Sequence, residues 1–141
     1  MRKPIIFIGV VAVGIAAYFL AQPPKPTPAP AAGQAGAIAS VRLPETLSPD
    51  ASIGKTAYQA KCANCHGDNA AGKHGVGPPL VHKVYEPSHH GDEAFQRAAA
   101  LGVRGHHWPF GDMPPIKGVT RADVTMIVAY VRDLQRFNGI N

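Results

Sequence analysis

The chain has 141 residues, including 14 Pro, 15 Gly, two Cys and seven His, and its formal net charge is +5. Part of the basic charge lies before residue 49, and from there onward ten Lys and Arg are opposed by eight Asp and Glu. This small excess does not indicate nucleic-acid binding. The part from residue 49 onward has the size of one small domain, for which an unaided hydrophobic core is marginal.

The amino terminus predicts a membrane segment. Arg2 and Lys3 precede residues 5–21, which are uncharged and almost wholly apolar. As a helix this segment spans roughly 25 Å, at the short end of what crosses a bilayer core. Bulky residues near its end disfavour cleavage, so residues 1–21 are expected to be an uncleaved anchor, with a cleaved signal as the alternative. The two basic residues are expected to stay cytoplasmic, which places the remainder of the chain outside.

Residues 22–48 are rich in Pro and Ala and begin with a run in which proline recurs almost every second residue. Closely spaced prolines favour an extended conformation and cannot build a core. The segment therefore predicts a semi-rigid tether, with a full reach on the order of 80 Å at about 3.1 Å per residue. Residues 49–141 form the predicted domain.

Three helices are predicted in this domain. The first covers residues 51–65 and is capped by Asp50 or Ser52, and the second covers residues 92–101 and ends at Gly102. The third is capped by Thr120, with Asp123 in its first turn. No segment shows the alternation of apolar and polar residues that predicts a strand, so the expected fold class is all-α. The apolar stripe of the third helix consists of Val124, Ile127, Val128, Val131 and Leu134.

The run Cys62-Ala63-Asn64-Cys65-His66 predicts covalent attachment of one haem. At this spacing two thiols and an imidazole lie on one side of a helical turn. The thiolates can add to the two haem vinyl groups while His66 binds the iron axially. A thioredoxin-like disulfide would need strands that the sequence lacks, and a structural zinc site would need a second ligand pair.

The sixth ligand of the iron is predicted to be Met113, in the sequence Asp112-Met113-Pro114-Pro115. Its thioether is a soft ligand in a loop that can fold over the opposite haem face, and the prolines restrict its backbone. Met126 lies within the third helix and is expected to pack in the core. Trp108 and Arg104 precede Met113 and are candidates to bind a haem propionate.

The remaining histidines are interpreted as polar surface groups. His89 and His90 precede the second helix, and His106 and His107 precede Trp108. Neither adjacent pair has the helical spacing typical of metal pairs. A dedicated copper or zinc site is therefore disfavoured from the sequence alone.

Taken together, residues 49–141 resemble the class I (monohaem) c-type cytochromes. The resemblance covers nearly all of this range and ends with the amphipathic third helix. The segment 81–90 and the His106-His107-Trp108 run are not part of the minimal pattern of that family. The matching residues are Cys62-Ala63-Asn64-Cys65-His66-Gly67, Gly77-Pro78-Pro79-Leu80, Asp112-Met113-Pro114-Pro115 and Tyr130.

The resemblance implies a small fold of three main helices around one haem c, with His66 and Met113 as axial ligands. It implies that the Pro78 carbonyl accepts a hydrogen bond from His66. It also implies that Gly54 and Tyr58 on the first helix pack against Tyr130 on the last.

The expected function is outer-sphere transfer of single electrons by a carrier, not an enzyme, on the periplasmic face of a bacterial cytoplasmic membrane. Expected partners are a quinol-oxidising complex as donor and a terminal oxidase or reductase as acceptor, with no nucleic acid. The alternatives are a haem subunit of a larger oxidase, reductase or dehydrogenase complex and, with an open sixth position, a ligand sensor or enzyme. The carrier is expected to be a monomer, or a subunit in the second case.

Overall fold

The computed structural model describes residues 36–141, and its regular secondary structure is helical, in agreement with the predicted fold class. Within this range there is no β-strand, only isolated bridges that pair Lys73 with Gly77 and Val103 with Met113. The helices are α1 (Pro49–Lys61), α2 (Ala63–His66), α3 (Asp92–Leu101) and α4 (Arg121–Phe137), with 3-10 turns at Asp68–Ala70 and Lys83–Tyr85.

Helix α1 begins two residues before the predicted start at residue 51 and ends four residues before the predicted end at residue 65. Its cap is Ser48, whose side chain accepts a hydrogen bond from the Ala51 N–H, so the prediction of Asp50 or Ser52 was wrong. Pro49 occupies the first turn, where its missing N–H costs nothing. The helix ends at Lys61, because Cys62 adopts φ −117° and ψ −34°, and α2 then starts a new turn.

Helix α4 begins at the predicted cap, Thr120, and Thr120 forms a capping box with Asp123. The Thr120 hydroxyl accepts from the Asp123 N–H, and the Asp123 carboxylate accepts from the Thr120 N–H. This reciprocal pair satisfies two donors that a helix start leaves open. All members of the predicted apolar stripe are buried: Val124, Ile127, Val128, Val131 and Leu134.

Helices α1 and α4 form the main packing contact of the domain. A β-carbon on Gly54 would overlap the Met126 carbonyl oxygen, so the two backbones touch directly. One turn further on, the rings of Tyr58 and Tyr130 pack at 5.4 Å between centroids. The crossing that the family resemblance implies is therefore present.

Helix α3 has the predicted bounds, Asp92–Leu101. It ends at Gly102, whose φ of +77° lies in the left-handed region that glycine adopts without strain. Its N-cap is Gly91, which offers no side-chain cap.

Residues 36–48 were assigned to the tether, but they lie against the domain. Val41 is 1% exposed and belongs to the core. The N–H groups of Ile38 and Ala39 both donate to the Ala71 carbonyl, at 3.0 and 2.8 Å. Arg42 donates its N–H to the Asn138 side chain at 2.9 Å. The packed part of the chain therefore begins before the predicted domain boundary at Pro49.

The predicted anchor, residues 5–21, and the first part of the predicted tether lie outside the described residues. Within residues 36–141, no helix has the length and apolar character needed to cross a membrane.

Candidate haem site

The two cysteines lie at the junction of α1 and α2. The N–H groups of Cys65 and His66 both donate to the Cys62 carbonyl, at 3.1 and 2.9 Å, which closes one tight turn around the motif. Both thiols are free, and Cys65 is exposed. Burial, with a smaller contribution from Cys65, raises the pKa of the Cys62 thiol to about 11. The Cys62 thiol is therefore not an activated redox nucleophile.

His66 is held by the hydrogen bond that the family resemblance implies. Its Nδ1 donates to the Pro78 carbonyl at 2.9 Å, because a carbonyl oxygen can only accept. Burial lowers the pKa of His66, although the bond to Pro78 opposes this shift. The ring is therefore neutral at pH 7, and Nε2 carries the lone pair that a metal needs.

The loop after His66 packs tightly beneath the motif. The Tyr58 hydroxyl donates to the Gly67 carbonyl at 2.8 Å, and the Gly72 N–H donates to the His66 carbonyl at 2.7 Å. Gly77 passes so close to the motif that a β-carbon there would lie 2.6 Å from the Cys65 carbonyl oxygen. The glycine is required because any side chain would push the loop away from Cys65.

Met113 is fixed through its main chain. Val103 and Met113 exchange two backbone hydrogen bonds, each of 2.9 Å. Gly102 lies against the same residue, since a β-carbon there would be 2.5 Å from the Met113 carbonyl oxygen. The Ile116 N–H donates to the Ala99 carbonyl at 2.8 Å and ties the end of the loop to α3.

A cavity of about 700 Å³ lies between these elements. Its size is within the range of roughly 300–1,000 Å³ that cofactor sites occupy. Much of its wall is apolar, with contributions from Leu80, Phe95, Val103 and Ile127. The wall includes every residue that was predicted for the site: Cys62, Cys65, His66, Pro78, Arg104, Trp108 and Met113.

Trp108 provides a test of whether these residues fit a haem. Its indole N–H is buried, and within residues 36–141 no acceptor meets the geometry of a hydrogen bond to it. Burial raises the pKa of the neighbouring Tyr85, and the Trp108 side chain opposes this shift. The indole stacks on Phe110 at 6.0 Å, and His82 meets it edge-on at 5.1 Å. A buried donor without an acceptor is costly, and a haem propionate in the cavity would supply the acceptor. The free thiols, the neutral His66 and this N–H therefore all fit the same group.

The structure brings together histidines that the sequence analysis treated as separate. His89, His90 and His107 each place a ring nitrogen within 4.8 Å of the others. Burial lowers the pKa of His90, and His89, His106 and Arg132 lower it further, against the bond to the Val84 carbonyl. Of the remaining two, His82 caps the 3-10 turn Lys83–Tyr85 and His74 is exposed.

Arg132 and Gln135 are structural residues that the sequence reasoning missed. The Arg132 side chain is 7% exposed and donates to the Tyr85 and His90 carbonyls at 2.7 and 2.6 Å. The Gln135 amide donates to the Leu80 and Tyr85 carbonyls at 2.8 and 2.9 Å. Together they attach the segment 81–90 to α4. The signal was the helical spacing, which places both residues on the same face as Val128 and Val131.

Comparison with known proteins supports this interpretation. A family profile described as Cytochrome c matches residues 51–135, more than half of the chain. Neither curated proteins nor solved structures gave a match. Proteins of the matched family carry covalently attached haem c with its iron and transfer electrons. The chain belongs to the cytochrome c family.

Proposed function

We propose that this chain is a class I, monohaem cytochrome c that carries single electrons at the periplasmic face of a bacterial cytoplasmic membrane. The observation that carries the proposal is that His66 and Met113 line one cavity, next to both cysteines. In that arrangement Cys62 and Cys65 would hold the haem covalently, and His66 and Met113 would hold its iron. The haem supplies one-electron redox chemistry.

The protein's contribution is to hold these groups in place and to exclude water. The bond from His66 to Pro78 fixes the ring orientation and strengthens Nε2 as a donor. The backbone pair of Val103 and Met113 holds the thioether loop without relying on side chains. The apolar wall disfavours added positive charge, and a thioether ligand favours reduced iron, so a fairly high potential is expected.

Electrons would enter and leave where the cavity wall reaches the surface beside the motif. Cys65 is exposed and Val76 is 44% exposed, and both line the cavity. A small surface of this kind suits short-lived docking, which allows rapid turnover. The expected donor is a quinol-oxidising complex, and the expected acceptor is a terminal oxidase or reductase.

The ligand assignment is tested by adding carbon monoxide to the reduced protein at neutral pH. With Met113 on the iron, the wild-type protein should not bind carbon monoxide rapidly. Met113→Ala should bind it and should lose the far-red band of sulfur-ligated ferric haem. Met126→Leu is the matched control and should behave like the wild type. Rapid stoichiometric binding by the wild type would contradict the carrier function and favour a sensor or enzyme.

The anchor is tested by fractionating cells that produce the full chain with its haem. We expect the haem-stained band to stay in membranes after washing with high salt. Recovery in the soluble periplasmic fraction would contradict the tether and favour a cleaved signal. Detergent extraction that yields a defined complex would contradict the free carrier and favour a permanent subunit.

A further inference from the structure

We propose that His89, His90 and His107 form a second metal site, distinct from the haem ligands, that binds one Zn²⁺. The three histidines come from two loops, one before α3 and one after it. Their candidate ligand atoms all lie within 4.8 Å of one another. No other group of three or more metal-binding side chains with this spacing is present in residues 36–141.

The distance between two of the ring nitrogens matches zinc coordination. The Nε2 atoms of His89 and His107 are 3.4 Å apart. Two nitrogens bound at 2.0–2.1 Å to a tetrahedral zinc ion are separated by about 3.3–3.4 Å. This pair therefore already has the separation of two zinc ligands. The candidate ligand atom of the third ring, His90, lies within 4.8 Å of both.

The third ring is oriented by partners outside the site. Nδ1 of His90 donates to the Val84 carbonyl at 2.6 Å, which leaves Nε2 with the lone pair. The main chain of His90 is held as well, because the Arg132 guanidinium donates to its carbonyl at 2.6 Å. A ligand histidine in proteins usually donates its second ring N–H in this way.

A hydrogen bond between the His89 and His107 rings explains only part of the arrangement. Such a bond would satisfy His89 and His107, but it would not account for His90 beside them. The His90 ring lies 4.6 Å from that of His89 and 5.2 Å from that of His107, between centroids. His106 is also near, at 4.1 Å from His107, and its Nδ1 donates to the Arg104 carbonyl at 2.9 Å. His106 is not among the three histidines whose ligand atoms lie within 4.8 Å of one another, so it lies beside the site and water would take the fourth position of a tetrahedral ion.

The site also lies beside the proposed haem. His89, His90 and His107 line the same cavity as His66 and Met113. A divalent ion on this wall would favour the reduced, less positive haem and so raise its potential. By linkage, the reduced protein would bind zinc more tightly than the oxidised protein by the corresponding factor. This consequence, unlike the site itself, rests on the proposed function.

The site is tested by calorimetric titration of zinc chloride into the untagged, haem-loaded protein in a buffer that does not bind zinc. We expect one saturable equivalent. His89→Ala and His107→Ala should each weaken zinc binding by at least about tenfold. Replacing even a residue that only hydrogen-bonds to a metal ligand lowers metal affinity by about this factor or more. His74→Ala replaces an exposed histidine outside the cluster and should bind like the wild type. Absence of stoichiometric binding by the wild type, or equal affinity in all four proteins, would overturn the proposal.

The coupling is tested by measuring the midpoint potential with and without zinc. We expect zinc to raise the potential of the wild type and of His74→Ala, and to leave that of His89→Ala unchanged. A wild-type potential that zinc does not move would overturn the coupling. The haem spectra of the variants separate the two proposals: a variant that loses zinc binding but keeps the wild-type haem spectrum has lost only the metal site. Conversely, a wild-type protein that binds carbon monoxide at its iron would contradict the proposed function but should still bind one equivalent of zinc.

Discussion

Gly54 lies against the Met126 carbonyl so closely that α1 and α4 touch backbone to backbone, with no side chain between them. The contact lies one turn before Tyr58, whose ring packs on Tyr130. Because α1 also leads directly into the cysteine motif, this crossing determines where the turn from Cys62 to His66 lies relative to α4. Stability of the crossing and geometry of the site are therefore linked.

Gly54→Ala should destabilise the protein by about 3 kcal/mol, because the added methyl group overlaps backbone that cannot rotate away. The measurement is the free energy of unfolding from denaturant titration of the haem-loaded protein. Ser52→Ala on the exposed face of the same helix is the control and should change stability by less than about 0.5 kcal/mol. Equal effects of the two substitutions would show that the helices do not cross at Gly54.

Tyr58→Phe should cost about 1–2 kcal/mol, because it leaves the Gly67 carbonyl without its buried donor. Tyr130→Phe is the matched variant, since its hydroxyl makes a longer bond of 3.3 Å to Asn69 and should cost less. Thermal unfolding followed by circular dichroism compares the two. The reverse order would contradict a special role of the Tyr58 hydroxyl in holding the loop after His66.

Arg132→Met should destabilise the protein by about 3 kcal/mol, because it removes donors from two main-chain carbonyls that hold the segment 81–90. The methionine keeps much of the side-chain volume, so the loss reports hydrogen bonds more than packing. Arg136→Met, at an exposed position on the same helix, is the control. Hydrogen exchange should show faster exchange in residues 81–90 of Arg132→Met only. Uniform protection in both variants would contradict the attachment of this segment by Arg132.

The ionised carboxylate of Asp133 should stabilise the folded protein at neutral pH. Burial raises the pKa of its carboxyl, but hydrogen bonds from Ser48 and the Arg136 guanidinium more than offset this, so the net pKa is lowered. A lowered pKa means that the contribution is present above the unfolded-state pKa of about 3.9 and is lost as the pH falls through the lower folded value. Unfolding free energy of the wild type should therefore fall below about pH 4 more steeply than that of Asp133→Asn. Parallel pH curves for the two proteins would contradict the bond between Ser48 and Asp133.

The features that could be predicted from the sequence are those determined by neighbouring residues. The turn from Cys62 to His66, the capping box of Thr120 and Asp123, and the end of α3 at Gly102 each depend on a few consecutive positions. The bond from His66 to Pro78 came from the resemblance to a family, because nothing local specifies which carbonyl is nearest. Ser48 was missed as a cap because the first helix was expected to begin at residue 51 and Ser48 was assigned to the end of the tether.

The features that could not be predicted depend on distant contacts. The packing of Val41 is supported by Arg42, whose N–H donates to Asn138 near the other end of the chain. The pair of His89 and His107 is separated by an entire helix in sequence, so their spacing gave no metal pattern. From the sequence alone Arg132 is interpreted as an exposed charged residue, because the carbonyls that it binds are identified only in the folded chain. In each case the second partner is brought near only by the folded chain.

The most direct test of the central claim is the visible spectrum of the purified protein, oxidised and reduced, followed by denaturation in alkaline pyridine. We expect a low-spin spectrum in both states, with the far-red sulfur band when oxidised. In pyridine we expect the band of a haem whose two vinyl groups are both converted to thioethers at Cys62 and Cys65. Haem that is extracted into acidified organic solvent, or a pyridine spectrum with an intact vinyl group, would contradict the covalent site from which the assignment starts.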